Sequence, residues 1–187
     1  MWSRPSQSSS TSPVSTSTSW SRPPQTWPSA GPPTGGKPVK LSDYRGKYVV
    51  LEWTNPGCPY VRKHYDSGNM PATQKEAVGK GVVWLAINST ERSSYEYMEP
   101  AKVVAWQQAR KAQPTALLAD EDGVAGKAYG ARTTPHMYIV DPQGKLVYAG
   151  GIDSIPSSDP DDIKKAVNYV RQGLNEALAG KPEGGAA

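Results

Sequence analysis

Apolar positions are sparse at both ends of this 187-residue chain and dense between Lys47 and Leu178. In that middle region, short runs rich in Val, Ile, Leu, Trp and Tyr, bounded by turn formers, alternate with stretches of helical pattern. The pattern predicts strands near 47–53, 82–88, 116–119, 136–140 and 145–150. It predicts helices near 59–66, 70–79, 99–112, 123–129 and 160–178. Strand and helix in alternation imply a layered α/β sheet. Asp141-Pro142-Gln143-Gly144 reads as the turn of a hairpin joining the last two strands. Asp159 is placed to cap the final helix with Pro160 at its first position, and Ile163, Ala166, Val167 and Val170 are expected to form the face that covers the sheet. Trp84, Trp106, Tyr138 and Tyr148 fall in apolar segments and read as core.

Composition divides the chain in three. Residues 1–35 are rich in Ser, Thr and Pro, contain no acidic residue and hold only scattered Trp2, Trp20 and Trp27. Such a segment buries too little apolar surface to offset its ordering entropy and is expected to be disordered. Residues 36–180 carry the pattern of one domain, and 181–187 read as a flexible tail. The first segment has no apolar stretch of the kind a secretory signal needs, and its prolines argue against an amphipathic transit peptide. No stretch is long and apolar enough for a membrane helix. A net charge of +4, without a basic run interleaved with aromatics, gives no footprint for nucleic acid. No phosphate loop, dinucleotide fingerprint or paired-carboxylate motif occurs, so no cofactor is expected.

The candidate chemistry centres on Cys58, the single cysteine. It follows the apolar run Tyr48-Val49-Val50-Leu51 and stands in Trp53-Thr54-Asn55-Pro56-Gly57-Cys58-Pro59-Tyr60-Val61. Proline is favoured at the first helical position, so Pro59 puts Cys58 at the N-cap. A thiolate there can accept hydrogen bonds from the free N–H groups of Tyr60 or Val61, and the helix dipole lowers its pKa. Arg62, with Lys63 and His64 beyond it, adds positive charge near that helix start. The bland reading of a lone cysteine is a small buried hydrophobe. The turn and the Cys-Pro helix start weigh against it. His64 and His136, the only histidines, make no metal-ligand spacing with one cysteine, so no metal is expected. His64 reads as a solvated helix residue, and His136 as a strand-edge residue near the Pro135 loop.

From Gly36 to about Gly180 the chain resembles the redoxin branch of the thioredoxin-like superfamily, the group that includes alkyl hydroperoxide reductase/thiol-specific antioxidant proteins. The resemblance lies in Gly36-Lys37-Pro38-Val39-Lys40-Leu41-Ser42-Asp43-Tyr44-Arg45-Gly46-Lys47, in Gly150-Gly151-Ile152-Asp153 and in Asn168-Tyr169-Val170. It implies a thioredoxin-like α/β fold, a central mixed sheet flanked by helices. Cys58 falls at the family's N-terminal active-site cysteine, and Cys58-Pro59-Tyr60-Val61 is similar to a glutaredoxin-type Cys-Pro-Tyr-Cys whose second cysteine is Val61. An internal disulfide is then impossible, and an adduct on Cys58 needs an external thiol reductant, thioredoxin-like or small.

The same resemblance implies roles for other residues. Glu52 corresponds to a buried acid that exchanges protons with the active-site thiol; read from the residues alone, it equally fits a strand end facing water. Thr134-Pro135 matches the cis-proline loop, which offers its backbone to an extended substrate. Asn55, Pro59 and Tyr60 join Thr134 and Pro135 as expected substrate contacts. Arg62 joins Cys58 and Glu52 as an expected catalytic group. Peroxiredoxins carry Pro-x-x-x-Thr-x-x-Cys, where this chain has Leu51 and Asn55; Arg132 lies near the position of their later arginine, which aligns with Pro135. The expected function is a thiol oxidoreductase acting on a disulfide or a peroxide. The alternatives are a single-cysteine peroxidase and a redox-inactive binding module that keeps the Pro135 groove. Relatives also begin with a short hairpin and continue past the last helix with a cysteine-bearing segment, neither of which is seen here. As written the chain is expected in the cytoplasm; if residues 1–35 stand in for a true signal peptide through a wrong start or reading frame, the expectation becomes export.

Overall fold

The computed structural model describes residues 39–180, and the expectations for residues 1–35 and 181–187 lie outside them. Five strands form one sheet: β1 (Val49–Trp53), β2 (Val83–Asn88), β3 (Ala116–Ala119), β4 (His136–Val140) and β5 (Leu146–Gly150). Their order is β3-β2-β1-β4-β5, with β1, β2 and β3 parallel and β4 antiparallel to both β1 and β5. The helices are α1 (Pro59–Asp66), α2 (Asn69–Gly79), α3 (Pro100–Ala109), α4 (Val124–Tyr129) and α5 (Tyr169–Leu178). The central mixed sheet flanked by helices is the architecture expected.

All five residues of β1 are buried, because helices cover both faces of the sheet. Val49, Leu51 and Trp53 point to one side, where Leu85, Ile87, Leu118 and Tyr138 meet Ala125 and Tyr129 of α4. Trp53, Tyr129 and Tyr138 stack there with ring centroids 5.1–5.8 Å apart. On the other side Val50, Trp84, Met137 and Ile139 pack against Val61 and Tyr65 of α1, Met70 and Ala77 of α2, and Val170 and Leu174 of α5. Burying large apolar side chains of this kind contributes about 1.5–3 kcal/mol each relative to leaving them in water.

The expected helix over 160–178 is two pieces. A 3-10 turn, Pro160–Lys164, starts where Asp159 accepts a hydrogen bond from the Asp161 amide, and α5 starts afresh at Tyr169. Asn168 caps α5 by accepting from the Arg171 amide, and the same residue pairs with Asp153 as an isolated β-bridge. That bridge holds Asn168 extended, so the chain cannot remain helical through it. The covering face is therefore Val170, Leu174 and Ala177, while Val167 is half exposed. Trp84 and Tyr138 are core as expected, whereas Trp106 and Tyr148 are only partly buried.

Candidate active site

Strand β1 ends in a turn in which the Asn55 side chain accepts from the Gly57 amide (2.8 Å) and the Cys58 amide donates to Asn55 O (3.0 Å). Cys58 is the N-cap of α1 in extended conformation, with Pro59 at the first helical position. Its thiol donates to the backbone oxygen of Thr134 at 3.0 Å, and the Thr134–Pro135 bond is cis. Cys58 makes no side-chain capping hydrogen bond to the amides of its own helix. The thiol thus faces the Pro135 loop rather than the helix start.

Cys58 opens onto a cavity of about 470 Å³ whose wall includes Tyr60, Thr134, Pro135, Ile152, Ile155 and His64. Of the expected substrate contacts, Tyr60, Thr134 and Pro135 line this cavity, and Tyr60 is 44% exposed at its rim. Pro59 is exposed and does not belong to its lining. Asn55 lies elsewhere: it is buried, with its amide nitrogen donating to Glu96 Oε2 (3.0 Å), and it lines a second, polar cleft of about 400 Å³. The two cavities share only Thr133 and Thr134, which form a ridge between them. Arg62 donates from Nε to Pro56 O at 2.8 Å, so its fork braces the turn before Cys58. Arg132 lines the polar cleft on the far side of the ridge from Cys58.

Glu52 is fully buried, which decides between the two readings of its environment. Oε1 accepts from the Tyr65 hydroxyl (2.7 Å), and Oε2 accepts from Trp84 Nε1 (2.7 Å) and Gln74 Nε2 (3.0 Å). The Tyr65 oxygen in turn accepts from Gln74 and Gln107, each at 3.2 Å. Burial pushes the Glu52 carboxyl above its ordinary value, and the hydrogen bonds from Tyr65, Trp84 and Gln74 pull it part of the way back. The same burial, with the Glu52 charge beside it, holds the Tyr65 phenol well above its usual range.

His64 corrects the expectation of a solvated helix residue, since it is 2% exposed, as is its neighbour Lys63. Lys63 Nζ pairs with Asp153 Oδ2 at 3.2 Å and donates to Ile155 O, while His64 Nε2 stands 3.5 Å from the same carboxylate oxygen. Asn69 Nδ2 lies 2.8 Å from His64 Nδ1, which places the ring proton on Nε2, toward Asp153. Burial pushes the His64 pKa down to about 4, against the pull of Asp153. This cluster was not singled out from the sequence as a unit. The signal was the spacing of Val61, His64 and Tyr65, which puts His64 on the core side of α1. Its carboxylate partner lies too far along the chain for spacing to reveal. His136 is partly buried beside Tyr138, its Nδ1 3.2 Å from the Tyr138 hydroxyl, and burial lowers its pKa. Among the described residues, no group of three or more His, Cys, Asp or Glu side chains is arranged to hold a metal ion, and no helix is long and apolar enough to cross a membrane.

A parallel β-strand core, an antiparallel hairpin edge and a cysteine N-cap facing a cis-proline loop define a thioredoxin-like protein. The AhpC/TSA family matches residues 26–149, and the chain belongs to that family. Membership supports a thioredoxin-like redox function in general terms. Among solved structures, the chain is similar to an uncharacterized conserved protein from Geobacillus kaustophilus, at 26% identity and TM-score 0.69, over 87% of this chain and 82% of the other. It is similar to a hypothetical protein from Sinorhizobium meliloti 1021, at 23% identity and TM-score 0.69, over 86% and 84%. A secreted disulfide oxidoreductase of Mycobacterium tuberculosis shares the fold at 17% identity and TM-score 0.52, over 75% and 91%. No curated protein matches the chain.

Proposed function

We propose that this protein is a thiol-disulfide oxidoreductase that works through one cysteine. The observation that carries the reading is the placement of Cys58 Sγ, against Thr134 O and open to a cavity of about 470 Å³. A substrate disulfide entering there meets a sulfur nucleophile at the N-cap of α1. The Cys58 thiol loses its proton, attacks one substrate sulfur, and the other sulfur leaves as a thiolate that takes up a proton. The result is a mixed disulfide on Cys58. Val61, buried in α1 three residues on, supplies no sulfur for an internal attack. A second thiol, thioredoxin-like or small, therefore attacks the mixed disulfide and frees Cys58.

Glu52 is the group that takes up and returns the proton, since burial raises its carboxyl above the ordinary value and so strengthens its hold on a proton. Arg62 acts on the turn, through Pro56, rather than on sulfur. Asn55 and Leu51 stand where a peroxiredoxin has Thr and Pro, and the Asn55 side chain is already engaged by Gly57 and Glu96, which favours disulfides over peroxides.

The test is the pH dependence of Cys58 alkylation together with intact-mass analysis after oxidised glutathione and, separately, after stoichiometric hydrogen peroxide. A thiol that titrates below the ordinary cysteine value of about 8.5 and forms the glutathione adduct faster than the sulfenic acid supports the reading. Faster oxidation by peroxide transfers the assignment to a single-cysteine peroxidase. A slow thiol with an ordinary or raised pKa transfers it to a binding module.

A further inference from the structure

Apart from Cys58 and Tyr60, the ionisable side chains in the wall of the Cys58 cavity are His64 and Asp153, and neither has a charge left to offer a ligand. Asp153 Oδ1 accepts from the Ile155 amide at 3.2 Å, and Oδ2 accepts from Lys63 Nζ at 3.2 Å with His64 Nε2 3.5 Å away. The side chains of Lys63 and Asp153 are 1% and 7% exposed, so the two charges are spent on each other. His64 has its Nδ1 turned to Asn69, and burial holds its ring neutral at pH 7. Two further cations stand outside: Arg62 is bonded to Pro56 O, and Arg132 lines the polar cleft beyond the Thr133–Thr134 ridge.

What the wall does offer is apolar. Lys63 Nζ also donates to Ile155 O at 3.3 Å, which fixes the segment carrying Ile155 and Pro156 as one side of the cavity. Pro135 and the Tyr60 ring, 44% exposed, form another. The volume of about 470 Å³ falls within the range of roughly 300–1,000 Å³ usual for pockets that bury a ligand. A charged group that enters this space gives up water and gains no counter-charge, whereas an apolar side chain gains by leaving water.

We propose that the substrate of Cys58 is a polypeptide disulfide with a large apolar side chain next to its cysteine, and that oxidised glutathione, which carries carboxylates on both halves, exchanges more slowly. This rests on the reading of Cys58 as a disulfide-exchanging nucleophile and names the substrate class of that site. The apolar side chain enters between Tyr60, Pro135 and Ile155, which brings the adjoining sulfur to Cys58 Sγ beside Thr134. Cys58 loses its proton, its sulfur bonds to the peptide sulfur, the peptide S–S bond breaks, and the departing thiolate takes up a proton.

The experiment follows mixed-disulfide formation on Cys58 by intact mass in the reduced full-length protein at pH 7. The probes are symmetric disulfides of blocked tripeptides in which Leu, Ser, Lys or Glu adjoins the cysteine, and oxidised glutathione. Each rate is divided by that of the same disulfide with dithiothreitol, which removes the intrinsic reactivity of its sulfur. The Leu peptide should then exceed every other probe by about tenfold. A Ser, Lys, Glu or glutathione rate equal to or above the Leu rate overturns the inference. Ile155→Lys sets an unpaired cation in the wall and should move the ratio of Glu to Leu rates by about tenfold toward Glu, while Ile155→Leu keeps the parent's order. An Ile155→Lys protein with the parent's thermal unfolding and the parent's ratio also overturns it. A Cys58 that iodoacetamide alkylates but no disulfide modifies removes the oxidoreductase reading and this inference with it; a Cys58 that exchanges with all the probes at one rate removes the inference alone.

Discussion

The sulfur of Cys58 and the carbonyl oxygen of Thr134, 76 residues apart in sequence, lie 3.0 Å from one another. This single contact joins the start of α1 to the loop that leads into β4, and both are fixed by the sheet. β1 and β4 pair antiparallel with Trp53 opposite His136, so the turn leaving β1 and the loop entering β4 meet at the same end of the sheet. The thiol is therefore held by the rigid part of the molecule. An incoming disulfide competes with a backbone carbonyl for it, and thiolate formation breaks that contact.

Replacing Val61 by cysteine tests whether the site retains two-cysteine competence. Val61 is fully buried three residues after Cys58, on the first turn of α1, and packs in the layer to which Cys58 also belongs. Val61→Cys is expected to form an internal disulfide with Cys58 and to turn over faster in an insulin-reduction assay run with a small-thiol reductant, where the parent protein waits for that external thiol to resolve each mixed disulfide. The substitution trades a buried branched side chain for a smaller one and should cost about 1 kcal/mol, read from the urea midpoint of the reduced form.

Glu52→Gln should stabilise the protein at neutral pH. A carboxyl whose folded pKa is raised above its ordinary value of 4.5 binds protons more tightly folded than unfolded. Stability then falls as pH rises from about 4.5 through the folded pKa, and the ionised buried group is a net cost above it. Glutamine removes that dependence. Urea unfolding at pH 5 and pH 8 should show a smaller difference for Glu52→Gln than for the parent, while the rate of Cys58 disulfide exchange drops by about tenfold or more. An exchange rate equal to the parent's removes Glu52 from the chemistry.

The strands and the position of Cys58 were legible because each depends on local pattern: runs of branched and aromatic residues between turns, and a Cys-Pro at a helix start. The orientation of Glu52 was not, because β1 is covered on both faces and shows no alternation to say which way a residue points. His64 read as solvated because a polar helix residue usually is; its burial, with that of Lys63, is decided by Asp153, some 90 residues away. The break before α5 was hidden for the same reason. Asp159-Pro160 is a sound start signal, but the bridge between Asp153 and Asn168 that ends the first turn is a tertiary fact. Arg62 was given to the sulfur on proximity in sequence, and the helix turns its Nε to Pro56 instead.

Arg62→Ala should therefore act on the turn. Loss of the 2.8 Å bond to Pro56 O from an exposed side chain is expected to cost about 0.5–1 kcal/mol, measured as a lower urea midpoint at unchanged slope. The midpoint of the Cys58 alkylation profile should move little. A rise of one pH unit or more in that midpoint would return Arg62 to the role of thiolate partner.

Acid should weaken the wall of the Cys58 cavity through His64. Its ring sits between Asn69 and Asp153, neutral, with a folded pKa of about 4 against an ordinary value of 6.5. Between those two values the unfolded chain binds the proton and the folded one does not, so stability is present above pH 6.5 and is lost as pH falls toward 4. The full window is worth up to about 3 kcal/mol. His64→Gln keeps a polar side chain at that place and removes the titration, so its stability should change less between pH 7 and pH 4.5 than the parent's, by about 2 kcal/mol in urea unfolding. Because Asp153 also anchors Lys63, Asp153→Asn is expected to be worse at every pH, leaving a buried ammonium without its counter-charge at a cost of about 3–5 kcal/mol. A parent protein whose urea midpoint is flat from pH 7 to pH 4.5 would mean that the ring accepts its proton in place, and that Asp153, rather than burial, governs His64.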